Sequence, residues 1–300
     1  MTRPTEVVVE VMARDWRRVA TDLFVLTKPR VVLMVLVTTL VGFYVGSHGA
    51  IDYVRVINLL VGTMLAAGGT LALNQYLERD VDALMERTRM RPLPDGRLEP
   101  LEALIFGALV TVAGVGYVAV TVGPLAALVT AVTAVLYLFA YTPLKVRSSF
   151  CMIVGAVPGA LPPVTGWVAA RGELGLGAWI LFGILFLWQL PHTLAIARLY
   201  RDDYARAGVQ VLPVVDQDGG STERHIVLGC LALLAVGLLP TLSGLAGVVY
   251  FAGALLLGLI FLGCGVLQAL APSAAAARRV LFASLLYLPA LLVLLALDRS

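Results

Sequence analysis

The sequence is poor in the residue types from which most metal sites and disulfide frameworks are built. It has only three cysteines and three histidines among 300 residues. Cys151, Cys230 and Cys264 stand in no CxxC spacing, so we interpret them as small buried apolar residues. Charge is scarce too, because 14% of the residues are charged, against about 25% in soluble domains. The shortage of charge excludes an ordinary soluble protein, and the cysteine spacing indicates neither a disulfide framework nor a zinc site.

Long apolar stretches take the place of the missing charge. Each is about 20 residues long, the length that an α-helix needs to cross the ~30 Å hydrocarbon layer of a bilayer. Membrane β-barrels give shorter, alternating patterns, so helices are predicted. The sequence predicts an all-α integral membrane protein, with a tail at residues 1–30 and a single polytopic domain at residues 31–298. Nine spans are predicted near residues 31–49, 56–77, 101–121, 124–142, 150–170, 176–197, 225–243, 247–271 and 280–297.

Lysine and arginine fall almost entirely on one side of this predicted topology. The tail and the loops after the even-numbered spans hold 19 of the 22, and only Arg55, Arg171 and Arg299 fall on the other side. The positive-inside rule places the N-terminus in the cytoplasm. Acidic residues before the first span argue against a cleaved signal and against an organelle transit peptide. The predicted location is therefore a bacterial plasma membrane. The charge asymmetry accounts for the net charge of +3, and no nucleic-acid partner is expected.

The most polar stretch of the chain follows the second predicted span. Asn74, Glu78 and Asp82 are spaced i, i+4 and i+8, which stacks three oxygen-bearing side chains on one helix face, whereas Asp80 points elsewhere. Oxygen ligands of this kind suit Mg²⁺ that also binds substrate phosphates, and the arginines that follow can clamp phosphate oxygens. The alternative interpretation is a solvated loop whose acids compensate its basic residues.

A second polar cluster surrounds the end of the sixth predicted span. Gln189 and His192 lie in an otherwise apolar stretch, and Pro191 between them predicts a kink or an opening of the helix. The alternative for His192 is a hydrogen-bonded core residue. We expect the clusters after spans two and six to face one cavity. The charged residues emerging on the cytoplasmic side of span six are Arg198, Arg201, Asp202 and Asp203.

Two further features belong to spans four and five. Lys145, which follows Tyr141 and Pro143, is a candidate for a position beside an anionic leaving group, whereas Arg147 is interpreted as an ordinary membrane anchor. The fifth span contains Pro158, Pro162 and Pro163, which predict a broken or kinked helix. Irregular backbone at membrane depth is tolerated where it lines a cavity, so a cavity for a bulky apolar substrate is expected.

Several motifs taken together resemble the UbiA superfamily of intramembrane prenyltransferases, and within it the members that farnesylate heme. The first is an NxxxDxxxD-type motif at Asn74, Glu78 and Asp82. The others are DALMERTRMRPLP (82–94), YTPLK (141–145), GALPPVTGW (159–167), WQLPH (188–192) and DYARAGVQVLPVV (203–215). Each motif alone is weak, but their order along the chain is specific.

The resemblance implies a bundle of about nine helices around a central cavity with a cytoplasmic cap. It implies farnesyl transfer from farnesyl diphosphate to a vinyl group of heme B, giving heme O, with Mg²⁺ as cofactor and the lipid bilayer as surroundings. A downstream heme A synthase or oxidase assembly factor is a further expected partner. The implied metal ligands are Asn74, Glu78 and Asp82, with Lys145 and His192 also catalytic. The implied substrate-binding residues are Asp80, Arg87, Arg91, Tyr141, Gln189, Arg198, Arg201, Asp202 and Asp203.

The sequence departs from the family pattern at two points, and it leaves other functions open. Glu78 stands where Asp is usual, and the second DxxxD-type motif is reduced to the adjacent Asp202 and Asp203. His192 is expected either to bind the heme iron or to position water. One alternative function is prenyl transfer to a quinone ring or another tetrapyrrole. The other is transport, which charges gathered at helix ends rather than at mid-membrane disfavour.

Overall fold

The structure is a computed structural model that describes residues 15–216 and 218–299. In this described part the chain is almost wholly helical. The α-helices are α1 (Trp16–Leu26), α2 (Pro29–Gly46), α3 (Tyr53–Ala83), α4 (Pro100–Thr121), α5 (Pro124–Val135), α6 (Thr142–Leu144), α7 (Cys151–Ala160), α8 (Pro162–Arg171), α9 (Leu176–Leu199), α10 (Arg201–Arg206), α11 (Leu212–Val215), α12 (Gly220–Gly237), α13 (Leu239–Leu242), α14 (Val248–Leu270) and α15 (Ala274–Leu297).

Nine helical segments among the described residues are long and apolar enough to cross a membrane. The protein is therefore a multi-pass membrane protein, and the predicted number of spans is confirmed. Five spans are the single helices α2, α3, α4, α9 and α14, and α15 is a sixth. The other three are composite: a π-helix (Leu136–Tyr141) joins α5 to α6, α7 is followed by α8, and α12 is followed by α13.

The predicted tail is partly folded, although its first 14 residues lie outside the described part. Helix α1 begins after Asp15, whose carboxylate accepts hydrogen bonds from the backbone N–H groups of Arg17 and Arg18. Asp22 on this helix is buried and lies 2.6 Å from Arg97 in the connection between α3 and α4. This ion pair fastens α1 to the end of the bundle that also carries the polar loops.

Helix α3 is the longest element and passes well beyond the second predicted span. It continues to Ala83, six residues past the expected end at residue 77. At 1.5 Å per residue these residues extend the helix by about 9 Å. The acidic residues that follow the apolar stretch are therefore held on a rigid helix rather than in a loop.

The fifth span is broken, as its prolines predict. Helix α7 ends at Ala160 and α8 begins at Pro162, with Leu161 between them. The sixth span behaves differently, because α9 runs unbroken through Pro191 and the opening predicted there is absent.

Very close packing joins α2 to α8, and glycine makes it possible. A Cβ atom on Gly42 would collide with the backbone of Pro163, and one on Gly166 would collide with the carbonyl oxygen of Thr39. Lipid-embedded helices associate through such small residues, because the hydrophobic effect drives them together only weakly within a bilayer.

The three basic residues on the minority side each bind a helix end. The Arg55 guanidinium donates to the carbonyl oxygen of Val122 at 2.8 Å, and Arg171 donates to that of Gly46 at 2.8 Å. Arg299 donates to the carbonyl oxygens of Tyr44 and Ser47. Carbonyls at helix C-termini lack intrahelical donors, so these arginines satisfy them and complement the helix dipole.

Candidate active site

A cavity of about 780 Å³ lies inside the bundle at the end that carries the polar loops. It is bounded by α2, α3, the fourth span, the broken fifth span and α9. Along α3 its lining runs from Thr63 to Asp82, a rise of about 28 Å at 1.5 Å per residue. One part of the wall is apolar and includes Val31, Val35, Ala66, Ala134 and Leu138, and the other part is charged.

The stacked oxygens on α3 line this cavity, as the helical spacing predicts. Asn74, Glu78 and Asp82 all contribute to its wall, and Asn74 and Asp82 are each 1% exposed. Asp80 does not line it, because its side chain is 86% exposed and lies 3.7 Å from Arg79. The predicted substrate contact of Asp80 therefore finds no support in its position.

Each of these three residues is in contact with a cationic side chain. Lys28 Nζ donates to Asn74 Oδ1 at 3.3 Å. Lys145 Nζ lies 2.6 Å from Glu78 Oε1, and Arg91 Nη1 lies 2.6 Å from Asp82 Oδ2. Glu78 and Lys145 are largely buried, so these are stronger contacts than ion pairs in open solvent.

The amide orientation of Asn74 follows from its neighbour Thr142. The Thr142 hydroxyl donates its single proton to the carbonyl oxygen of Tyr137, five residues earlier in the π-helix, at 2.8 Å. Thr142 can therefore only accept from Asn74, whose Nδ2 lies 3.1 Å away. Nδ2 points at Thr142, and the oxygen of Asn74 faces Lys28 and the cavity.

Lys145 and Tyr141 lie together in the cavity wall, as their spacing in the YTPLK motif suggests. The ammonium of Lys145 lies 4.4 Å from the centre of the Tyr141 ring, a cation–π contact. Burial by itself would lower the pKa of Lys145, but Tyr141 and Glu78 outweigh it and hold that pKa well above the ordinary value. Lys145 is thus a firmly charged cation next to Glu78.

Arg87 also reaches the cavity and has no carboxylate partner among the described residues. Its guanidinium lies 5.2 Å from the centre of the Tyr200 ring, and its Nη2 is 3.5 Å from the hydroxyl of Tyr204. The guanidinium of Arg87 contacts two tyrosines and, within the described part of the chain, no carboxylate, so its N–H groups are able to bind an anion.

The cluster on α9 divides into residues that reach the cavity and residues that do not. Gln189 lines it and donates from Nε2 to the carbonyl oxygens of Ala156 and Leu185. His192 does not line it, and stacks instead on Trp188 with ring centres 4.6 Å apart. His192 is turned toward α15, where its Nδ1 lies 2.7 Å from Ser284 Oγ.

The contact with Ser284 favours one tautomer of His192, the one that satisfies both hydrogen bonds of the Ser284 hydroxyl. Ser284 Oγ donates its proton to the carbonyl oxygen of Leu281 at 2.6 Å, so it can only accept from the imidazole. His192 then carries its proton on Nδ1, and the lone pair of Nε2 is free. The catalytic role predicted for His192 stays a prediction, now for a residue outside the cavity wall.

The charged residues at and after the end of α9 do not line the cavity. Arg198 Nε lies 3.5 Å from Glu223 Oε1, Arg201 Nε donates to the carbonyl oxygen of Pro213, and Asp203 pairs with Arg206. Asp202 is exposed on α10. The structure therefore does not bring these four predicted substrate-binding residues to the site, and Asp202 and Asp203, all that the sequence keeps of the family's second acidic motif, lie outside the cavity wall.

The main residue that sequence reasoning missed is Lys28. It lines the cavity beside Asn74, although 46 positions separate the two in the chain. In the sequence it is one of six basic residues before the first span and looks like an ordinary membrane anchor. Thr142, which orients Asn74, and Tyr204, which contacts Arg87, were missed as well.

The donor set suits a magnesium ion bound together with a phosphorylated substrate. The described residues contain no group of three His, Cys, Asp or Glu side chains that could hold a metal, and the predicted set has only two carboxylates. Mg²⁺ is commonly held by one or two carboxylates plus substrate phosphates and keeps several waters. Glu78, Asp82 and the cavity-facing oxygen of Asn74 fit that mode of binding.

Comparison with known proteins gives this cavity a family context. The model of the UbiA prenyltransferase family matches residues 35–287, which is most of the chain. The chain belongs to the UbiA prenyltransferase family. The predicted family and the predicted fold class are therefore confirmed.

Within the UbiA family the chain is similar to several proteins named protoheme IX farnesyltransferase. The one from Solibacter usitatus is 48% identical over 93% of this chain and 98% of its own length. The one from Myxococcus xanthus is 43% identical over 94% of this chain and 95% of its own. The one from Aquifex aeolicus is 41% identical over 82% of this chain and 85% of its own.

Solved structures of UbiA proteins share the fold. A digeranylgeranylglyceryl phosphate synthase matches with a TM-score of 0.79 at 17% identity, covering 94% of this chain and 98% of that one. A UbiA homolog from Archaeoglobus fulgidus bound to GPP and Mg²⁺ matches with a TM-score of 0.65 at 14% identity, covering 91% and 99%. At this identity the likeness concerns the helical bundle alone.

Proposed function

We propose that this chain transfers a farnesyl group from farnesyl diphosphate to a vinyl group of protoheme IX, with addition of water, to give heme O. The observation that carries the proposal is the 40–48% identity, over most of the chain, to relatives named protoheme IX farnesyltransferase. The cavity supports it, because one wall is apolar and the other carries four cations and two carboxylates.

The charged wall would bind the diphosphate head of the donor. Asn74, Glu78 and Asp82 would hold Mg²⁺, which when bound supplies Lewis-acid neutralisation of the diphosphate. Lys145 and Arg91 would shift from the carboxylates toward phosphate oxygens, and Arg87 would contribute its free guanidinium. Fixed charges aimed at a leaving group in a dry site are among the largest contributions to catalysis.

The reaction proceeds by loss of diphosphate and capture of the farnesyl group. The allylic C–O bond breaks with its electron pair on the departing diphosphate, and the vinyl group of heme attacks the farnesyl C1. Water then adds to the cation formed on the former vinyl group and releases a proton, which leaves a hydroxyl. The apolar wall, which includes Val35, Ala66 and Leu138, excludes water from the first cation.

Gln189 and His192 are the polar groups proposed for the acceptor side. Gln189 lies in the cavity wall, where its amide oxygen can position the water that adds to the acceptor. His192, which lies outside the wall against Trp188 and Ser284, would have to reach the acceptor from there, either to bind the heme iron or to position water.

The location of the enzyme is also a proposal. The end of the bundle that carries the cavity mouth and most of the basic residues would face the cytoplasm of a bacterial cell, with the N-terminus inside. Heme O would leave into the membrane for a heme A synthase or an oxidase assembly factor.

The decisive experiment uses the purified full chain in detergent with heme B, farnesyl diphosphate and Mg²⁺. Mass spectrometry of the porphyrin is expected to show farnesyl plus water added to heme B, and EDTA is expected to abolish the product. Replacing heme B by a quinone-ring acceptor is the matched control. Prenylation of the quinone in place of heme would overturn the assigned acceptor.

A further inference from the structure

Lys28 has a backbone conformation that a lysine seldom adopts. Its φ of 50° and ψ of 67° lie in the left-handed region, and it is the only non-glycine residue with positive φ in the described part of the chain. This conformation costs free energy for any residue with a Cβ atom, and such strain recurs at ligand sites. The strain calls for an explanation in terms of where the side chain is directed.

The side chain of Lys28 enters the cavity but meets no carboxylate among the described residues. Among the described residues, its side-chain hydrogen bond goes to the neutral Asn74. The nearby Lys145 and Arg91 are each paired with an acid, whereas Lys28 is not.

The charges of the cavity wall point to the missing partner. The wall holds Lys28, Arg87, Arg91 and Lys145 but only two carboxylates, Glu78 and Asp82. Two positive charges are therefore unbalanced, and they belong to Lys28 and Arg87. A partly buried ammonium without an anion is unfavourable, so the environment of Lys28 suits a multiply charged anion that enters beside Asn74.

We propose that Lys28 binds a phosphate oxygen of the prenyl diphosphate directly, and that the left-handed backbone at the start of α2 directs it there. The proposal rests on the proposed function, because it takes the diphosphate donor as the anion. It makes the connection between α1 and α2 a wall of the diphosphate pocket rather than a plain membrane anchor.

The test measures binding of inorganic pyrophosphate to the full chain by calorimetry at saturating Mg²⁺. Lys28→Met is expected to weaken binding by about 10- to 100-fold, the range for loss of one charge-assisted hydrogen bond. Arg30→Met is the matched control, because Arg30 is an exposed basic residue two positions away, and it is expected to bind like wild type. Equal affinity of Lys28→Met and wild type would overturn the proposal.

Lys28→Gly separates a binding role from a folding role. Glycine adopts the left-handed region without strain, so this variant is expected to unfold at the wild-type temperature or above it. It should nevertheless lose pyrophosphate affinity as Lys28→Met does. If the Lys28→Gly variant bound pyrophosphate with wild-type affinity, direct binding by the ammonium of Lys28 would be contradicted.

The dependence on Mg²⁺ distinguishes contact with phosphate from an effect passed through Asn74. Direct contact predicts that the loss in Lys28→Met persists when Mg²⁺ is saturating. A role confined to orienting Asn74 predicts normal affinity there and a loss only at low Mg²⁺, which would overturn the proposal. If wild type itself fails to bind pyrophosphate with Mg²⁺, it is the proposed function that fails.

Discussion

Two stretches of this chain look alike in sequence and differ in structure: the polar residues after the second span and those after the sixth. Asn74, Glu78 and Asp82 line the cavity, whereas Arg198 and Asp203 lie outside it. The difference begins with helix length. Helix α3 continues through its polar residues, so one face keeps its direction, but α9 ends at Leu199 and the chain turns into α10.

The comparison teaches that acidic residues at the end of a span could be assigned to one site where a continuous helix carries them on one face. On α3, residues four apart remain on one face for two turns beyond Asn74. After α9 the same kinds of side chain fasten short helices to their neighbours, as Arg201 does with the carbonyl oxygen of Pro213. Substitutions in the first region are therefore expected to lower the rate of catalysis more than substitutions in the second.

The largest expected difference is between the acid Asp82 in the first region and the acid Asp203 in the second. Asp82→Asn removes a carboxylate from the metal and diphosphate site and is expected to lower the rate of farnesyl transfer by at least about 100-fold. Asp203→Asn breaks only the contact with Arg206 on α10 and is expected to leave the rate close to wild type. Rates of heme O formation measure both, and equal losses would break the comparison.

A smaller loss is expected from the cation that faces Glu78. Lys145→Met removes a charge from the leaving-group pocket and is expected to lower the rate by about 10- to 100-fold. Arg147→Met is its matched control, because Arg147 is exposed and does not line the cavity. Single-turnover rates with prebound heme are the measurement. A wild-type rate for Lys145→Met would remove it from the pocket.

Substitution of His192 tests whether the polar cluster at the end of the sixth span acts on the heme acceptor and not on the diphosphate donor. His192→Ala is expected to lower heme O yield by about 10-fold, as expected for loss of one positioned group, and to leave pyrophosphate affinity unchanged. Ser284→Ala frees the imidazole to change tautomer and should produce a weaker version of the same defect. Heme titration followed by absorbance is the second measurement. Unchanged yield in both variants would leave His192 as a packing residue.

The smallest effect on turnover, with a clear effect on stability, is expected for Arg198. This residue faces Glu223, which is buried and whose Oε2 has no partner. Arg198→Met should reduce the free energy of unfolding by about 1–3 kcal/mol because it leaves a buried carboxylate less compensated. The rate of the folded enzyme should not change. Thermal unfolding in detergent measures the stability, and initial rates measure the activity. A variant with wild-type stability and a reduced rate would contradict a purely structural role for Arg198.

The sequence predicted the parts of the site that depend on local periodicity. The stack of Asn74, Glu78 and Asp82 required only that α3 be helical, and the broken fifth span required only its prolines. The periodicity of the sequence did not decide whether His192 faces the cavity. Gln189 and His192 are three residues apart, so they differ in direction by about 60° on a helix, enough to place one in the cavity wall and the other against α15.

The parts that were missed depend on tertiary structure. Lys28 meets Asn74 because α1 and α2 fold over the end of α3, and no spacing along the chain encodes that contact. Its left-handed backbone is set by the surrounding structure rather than by its own preference. The pairings of Arg198 and Arg201 likewise depend on where α11 and α12 return to the bundle.

The interlocking of α2 and α8 has a consequence for how the protein is made. The first span enters the membrane early, but its tightest partner is not complete until Arg171 has left the ribosome. Until then the surface around Gly42 lacks the helix that packs on it in the folded protein. Assembly of the catalytic chamber is therefore a late event in synthesis, reached only after more than half of the polypeptide has been translated.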